Sequence, residues 1–340
     1  MATTPLPLPE KPKPKRKRTR AQRLIRRIEA TLRAMEAGSV SIGDLKLAAR
    51  SLEEMHAAFE LFAPYRDTRK VATFGSARTQ ENDAIFRTAE RFAQAIADAG
   101  YMVITGAGGG IMEAAQRGAG RERSFGVNIR LPFEQAPNQF IDGDVKLLMF
   151  NYFFTRKLFF IKEAHAVALF PGGYGTLDEG FEILTLLQTG KCQPMPLVLL
   201  DQPRGTYWRT WHRYVQDHLL RRQLISDEDL ALYKVTDDCD EAVREITNYY
   251  RVYHSARYVK DHLVLRLQRP LPPDRLEALG AEFADICEDG TLTPCNPFPV
   301  ERDEPAAMHL SRLCFRFNRR NFGRLRMLIN RINATPMENP

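Results

Sequence analysis

Three clusters of residues have types and spacings suited to chemistry on a phosphorylated ligand. The first is Thr105-Gly106-Ala107-Gly108-Gly109-Gly110-Ile111-Met112-Glu113. An apolar strand that runs into glycines and then into a helix points backbone N–H groups outward at the positive end of the helix dipole. Such a turn binds phosphate without any side chain. Gly108, Gly109 and Gly110 are candidate contacts, because a Cβ would hold the anion away. The same glycines do not fit other nucleotide loops. No Lys-Ser/Thr follows them, as a Walker A loop requires. Ile111 stands where a dinucleotide fingerprint needs its third glycine, and Asn128 and Arg130 stand where it needs an acid. A purely structural tight turn remains the alternative.

The second cluster is Pro171-Gly172-Gly173-Tyr174-Gly175-Thr176-Leu177-Asp178-Glu179, directly after the strand-like AVALF. Thr176 offers a hydroxyl and an N–H to a phosphate oxygen. Glu179 stands one turn further on, an awkward place for a carboxylate beside an anion unless it serves a reaction. Thr176 as N-cap and Glu179 as the capping-box acid is an alternative of the right spacing. The third cluster is Thr155-Arg156-Lys157 inside FNYFFTRKLFF. Its flanks are so apolar that the helix is expected to be largely buried, and a buried arginine needs an anion, either a phosphate or Glu179 itself.

The elements that must position these clusters alternate along the chain. Apolar strands are predicted at 71–76, 101–107, 124–131, 145–150, 166–173 and 196–201, separated by helices. That pattern predicts an α/β fold, a Rossmann-like parallel sheet with helices on both faces, with ligands at the carboxyl ends of the strands. Helical periodicity over Arg20–Ala37 (Leu24, Ile25, Ile28, Leu32, Met35) and from Ser41 to Phe62 predicts an N-terminal helical extension packing on the core. After residue 252 the pattern changes to a small α+β C-terminal appendage. It has strands at 262–267 and 309–317, helices at 275–286 and 322–332, and the outline of a duplicated strand–helix unit. The expected division is a basic tail (1–20), N-terminal helices (21–65), a nucleotide-binding catalytic domain (66–252) and the appendage (253–340).

PGGYGTLDE, GAGGGIMEAA and the upstream TRK together resemble the LONELY GUY-type phosphoribohydrolase family, also described as lysine decarboxylases. LPFEQAPN (131–138) and FGSART (74–79) are similar to its larger bacterial members. The resemblance spans roughly residues 40–250. It implies a Rossmann-like homodimer that hydrolyses nucleoside 5′-monophosphates to free base and ribose 5-phosphate. It places the catalytic pair on Arg156 and Glu179. Substrate contacts fall on Lys157, on Gly172, Gly173, Tyr174, Gly175, Thr176, Leu177 and Asp178, on Thr185, and on Glu134. Shorter members have Met-His before the arginine motif, where this chain has Phe150-Asn151. The expected chemistry needs no cofactor and no metal, and His165 and His212 are expected to be packing residues. A non-catalytic nucleotide or cofactor carrier, or a sensor, on the same fold is the rival function. It would keep the glycine loops without needing Arg156 and Glu179.

Composition narrows the setting. Hydrophobic residues at 44% and charged residues at 27% are ordinary for a globular domain. The net charge of +7 is concentrated at the start: residues 1–30 hold ten Lys/Arg against two Glu, leaving the remainder near neutral. KPKPKRKRTR (11–20) is therefore expected to be a disordered basic tail, either solubilising or available to anionic partners. The most apolar long window, Leu147–Phe170, carries Arg156, Lys157, Lys162 and Glu163, too many charges for a membrane span. Five cysteines without CxxC spacing suggest free thiols in the cytoplasm rather than a disulfide framework.

Overall fold

The computed structural model describes residues 19–131 and 136–336. The basic tail up to residue 18 and Glu134 lie outside the described residues. The chain forms two units, one ending at Glu53 and the other running from Glu54. In the first, α1 (Arg20–Ala37) starts from a Thr19–Gln22 capping box, and α2 (Ile42–Phe62) carries the chain across the division. No described residue of α1 is buried, so Leu24, Ile25, Ile28 and Leu32 stay exposed along one stripe.

The second unit is built on seven parallel strands: β1 (Lys70–Phe74), β2 (Met102–Thr105), β3 (Ser124–Ile129), β4 (Leu147–Phe150), β5 (Ala166–Leu169), β6 (Leu197–Leu200) and β7 (Lys234–Thr236). Their order across the sheet is β4-β3-β2-β1-β5-β6-β7. The crossovers are α3 (Ala84–Asp98), α4 (Ile111–Ala119), α5 (Phe153–Glu163), α6 (Tyr174–Gln188) and α7 (Tyr207–Tyr214). After β7 follows α8 (Cys239–Tyr249). One face of the sheet buries Ala72, Phe125 and Leu169 under α5, α6, α7 and the end of α2. The other buries Val71, Val103 and Ala168 under α3, α4 and α8. Strands covered on both sides must be apolar on both sides, which is why they read as continuous apolar runs. The chain builds outward from β1 to β4, then returns to β5 on the other side of β1. That reversal opens a crevice at the carboxyl ends of β1 and β5.

The appendage is an antiparallel sheet, β10-β11-β9-β8, formed by β8 (Tyr253–Val259), β9 (His262–Leu267), β10 (Thr293–Pro294) and β11 (Ser311–Phe315), with α9 (Pro273–Glu282) and α10 (Phe322–Asn333). The strand–helix order does occur twice, with β9 and β11 adjacent. Arg266 and Arg312 sit opposite one another in that pairing, a repulsive placement relieved by Glu301. Glu301 is fully buried and accepts from both guanidinium groups. Burial opposes its charge, yet the Phe298 amide and the two arginines hold its carboxyl below the usual range. Glu301→Gln leaves two buried cations short of an anion and is expected to destabilise the chain by about 3 kcal/mol in urea unfolding. A loss under ~1 kcal/mol would show that Glu304, which also pairs Arg266, suffices alone.

The cysteine expectation needs correction. Cys295 and Cys314 form a disulfide, with Cα atoms 6.1 Å apart, while Cys192, Cys239 and Cys287 are free. The antiparallel pairing of β10 with β11 brings together two cysteines 19 residues apart. Nothing in their sequence spacing announces it.

Candidate active site

A cavity of about 720 Å³ opens where β1 and β5 end. Gly75, Ser76 and Arg78 enter it after β1, Gly106 after β2, Asn128 at the end of β3, and Gly173–Glu179 after β5. These loops interlock through their backbones. The Ser76 N–H donates to Pro171 O (3.1 Å), and Ile111 N–H donates to Ser76 O (3.0 Å).

Helix α6 begins at Tyr174, with Gly173 as an N-cap that supplies no side-chain hydrogen bond. Thr176 therefore lies inside the first turn and is not the cap, which excludes the capping-box alternative. Its hydroxyl makes no hydrogen bond among the described residues, and the residue as a whole is 6% exposed. Leu177 N–H is the first to bond back into the helix, to Gly173 O (3.1 Å). The N–H groups of Tyr174, Gly175 and Thr176 are thus left at the positive end of the dipole, facing the cavity. A Cβ on Gly172 would stand 2.1 Å from Thr176 Oγ1, so the glycine there is what lets the threonine turn inward.

Glu179 sits beneath this turn, 7% exposed. Its Oε2 is buried without a hydrogen-bond partner among the described residues, and its Oε1 is 3.8 Å from Lys157 Nζ. Burial pushes its pKa up to about 7, against the pull of Lys157 and Arg156. A carboxyl held near neutrality can take a proton at physiological pH and return it.

Helix α5 carries the two cations. Glu54 fixes its start by accepting from Asn151 N–H, Asn151 Nδ2 and the Thr155 hydroxyl. Arg156 donates from Nε to Val127 O (2.9 Å) and lies over the Phe160 ring. Its guanidinium packs against Gly106, where a Cβ would be 2.4 Å from Nη2. Of the two anions the sequence offered Arg156, a phosphate or Glu179, the second is not in direct ion-pair contact with it among the described residues. Arg156 acts on that carboxyl through space. Lys157 instead bridges Asp178 (2.6 Å) and Glu182 (2.7 Å) on α6. Those bonds outweigh its burial and raise its pKa. The helix is also less buried than its composition suggests. Thr155, Phe159 and Phe160 face inward, but Phe153, Phe154 and Leu158 are exposed.

The remaining sequence candidates divide in two. Gly173, Tyr174, Gly175, Thr176, Leu177, Asp178, Glu179 and Arg156 line the cavity; Gly108, Gly109, Gly110, Gly172, Lys157 and Thr185 do not. Gly110 has φ +63°, and a Cβ there would meet Ser76 O at 2.3 Å, so this glycine run supports the loop behind the site. Gly108 O is taken by Asn138 Nδ2. Thr185 is on the exposed side of α6, bonded to Phe181 O. Sequence reasoning missed Ser76, Arg78, Met112 and Asn128 as lining residues. Asn128 is 2% exposed; its Oδ1 accepts from Ile129 N–H, while its Nδ2 has no partner among the described residues. FGSART was the available signal for Ser76 and Arg78, and Asn128 carried none. Among the described residues no group of three or more His, Cys, Asp or Glu is arranged to hold a metal, and no helix is long and apolar enough to cross a membrane.

Comparison with known proteins adds the family. The profile of a family described as possible lysine decarboxylase matches residues 109–246, from the first glycine loop through α8. An uncharacterized protein of Archaeoglobus fulgidus is 30% identical over 110 residues, covering 32% of this chain and 69% of that protein. Among solved structures, the X-ray structure of TM1055 is similar at 23% identity, covering 52% of this chain and 97% of that one, with a TM-score of 0.37. The molybdenum cofactor carrier protein of Chlamydomonas reinhardtii is similar at 21% identity over 52% and 94% of the two chains, with a TM-score of 0.36. With the glycine-started α6, its inward Thr176 and the buried Glu179 now located, the chain belongs to the possible lysine decarboxylase family, the LONELY GUY-type family.

Proposed function

We propose that this protein hydrolyses the N-glycosidic bond of a nucleoside 5′-monophosphate, releasing free base and ribose 5-phosphate. The observation that carries the reading is Glu179: a buried carboxyl with one unpartnered oxygen and a pKa near 7, just below an uncapped helix start. The 5′-phosphate belongs at that start, on the amides of Tyr174, Gly175 and Thr176 and on the Thr176 hydroxyl. Binding energy at the phosphate then holds C1′ over Glu179. As the C1′–N bond lengthens, positive charge grows on C1′ and the ring oxygen, and the carboxylate below stabilises it. Water forms the new C1′–O bond and gives its proton to Glu179. The electron pair of the broken bond leaves with the base, which takes up a proton. The Arg156 guanidinium, fixed against Gly106 and Val127, stabilises the ionised form of Glu179 and the negative charge of the ligand.

Decarboxylation of an amino acid finds less support. It calls for a lysine whose neutral amine can form a Schiff base. Lys157 is next to the cavity, but its ammonium is held by Asp178 and Glu182 and its pKa is raised. The exposed Phe153, Phe154, Leu158 and Phe181 on α5 and α6 support a homodimer over this region.

The test is incubation of the pure protein with AMP, GMP, CMP, UMP, IMP and a cytokinin monophosphate, following free base by chromatography. Base release from at least one is expected. No release from any of them, alongside measurable nucleotide binding, would overturn the hydrolase in favour of a carrier or sensor.

A further inference from the structure

The second unit holds a further cavity, away from the carboxyl ends of β1 and β5. On the opposite edge of the sheet, where β1 and β5 begin, a cleft of about 840 Å³ separates the parallel sheet from the appendage. That lies within the roughly 300–1,000 Å³ typical of small-molecule sites. Arg66 and Arg69 enter it ahead of β1, Lys162 from the end of α5, His165 from the link between α5 and β5, and His254, Arg257 and Arg266 from β8 and β9. Five lysine or arginine side chains line it against two carboxylates, Asp67 and Glu304.

Three of those cations are already committed. Lys162 pairs with Glu163, Arg257 with Asp303 and Glu304, and Arg266 with Glu301 and Glu304. Arg66 and Arg69 have no carboxylate partner among the described residues, and Arg69 is held 4.1 Å over the Tyr250 ring. The histidines report the resulting field. Burial first, and then Lys70 and Arg69, push His165 down to about 4. His254 is lowered by burial and then by Arg69, Arg266 and His309. Positive charge thus converges from both sides on a space the protein does not fill, and self-repulsion of this kind is relieved by a bound anion.

We propose that this cleft is a second ligand site, taking a small anion with two or more adjacent phosphates, gripped by Arg66 and Arg69 from the sheet side and by the histidine-bearing edge of the appendage. Arg66 and Arg69 line the cleft as two guanidinium groups without carboxylate partners among the described residues, and a pair of guanidiniums suits adjacent phosphates better than a single one. The cleft touches α5 through Lys162, about 1.7 turns beyond Arg156 on the same helix. A ligand there therefore bears on the element that carries the candidate catalytic arginine.

Tripolyphosphate titrated into the full-length protein by calorimetry is the test, with Arg66→Gln/Arg69→Gln and His309→Glu as cleft variants and Thr176→Val as the control at the other site. Tripolyphosphate is expected to bind the wild type and Thr176→Val alike and both cleft variants at least tenfold more weakly. Base release at zero tripolyphosphate should be unchanged in the cleft variants, and far-UV dichroism should show each folded. A nucleoside triphosphate run in parallel separates two forms of the same result. Equal affinity assigns recognition to the phosphates alone, and tighter binding adds the nucleoside. Absence of binding at millimolar concentrations overturns the proposal. So does binding lost in Thr176→Val, or binding unchanged in both cleft variants, which would belong to the candidate active site or to the basic tail.

Discussion

Glu179→Gln is expected to lower kcat for base release by about 1,000-fold or more while leaving KM within about tenfold. Glutamine keeps the shape of the side chain, so the phosphate seat on α6 is undisturbed. In the proposed reaction it loses the negative charge beneath C1′ and the ability to accept the proton of water. The same change should make the fold more stable. In the wild type the Glu179 carboxyl titrates near 7, well above its unfolded value, because burial disfavours the charge. The folded state therefore binds the extra proton between those two values, and stability falls as pH rises through that window. Glutamine removes the penalty, so the variant's gain in thermal midpoint should be larger at pH 8 than at pH 4. A variant with near wild-type rate would remove Glu179 from the mechanism. A variant that is inactive but no more stable at pH 8 would show that the carboxyl is not strained by burial.

Arg156→Ala is expected to act on the same carboxyl from a distance. Arg156 lowers the Glu179 pKa without touching it. Its removal should raise that pKa further, so the rising limb of kcat/KM, expected near pH 7 in the wild type, should move to higher pH. The rate at pH 7 should drop about 100-fold, with KM rising as a ligand-facing charge is lost. Arg156→Lys should not restore it. An ammonium cannot both donate to Val127 O and lie flat between Gly106 and Phe160 as the guanidinium does. An unshifted pH profile in Arg156→Ala, at any rate, would refute the through-space coupling.

Much of this arrangement was legible before the structure. Strands buried on both faces leave apolar runs such as AVAL and LVLL, and glycine runs follow two of the strands, MVIT and AVAL, so the sheet and its ligand edge could be read directly. What could not be read depends on contacts between distant residues. The helix start at Gly173, one turn earlier than a Thr176 cap would place it, follows from the Ser76–Pro171 loop contact. Whether Gly108–Gly110 face a ligand or brace Ser76 is decided by the fold of the β1 loop. Glu54 as the anchor of α5, Asn128 at the cavity and the Cys295–Cys314 pairing each join segments far apart in the chain. The half-exposed α5 shows the same limit: an aromatic run predicts burial, but which side is buried is set by its neighbours.

Helix α6 carries both the amides at Tyr174–Thr176 and the carboxyl of Glu179. An α-helix advances ~1.5 Å per residue and scarcely stretches, so those amides and the Glu179 backbone stay roughly 4.5–7.5 Å apart along the axis whatever happens elsewhere. The helix acts as a built-in gauge. If the proposed hydrolysis holds, that gauge should favour a sugar whose phosphate hangs from the 5′ carbon over isomers of equal charge with the phosphate at 2′ or 3′, a difference that length alone would set.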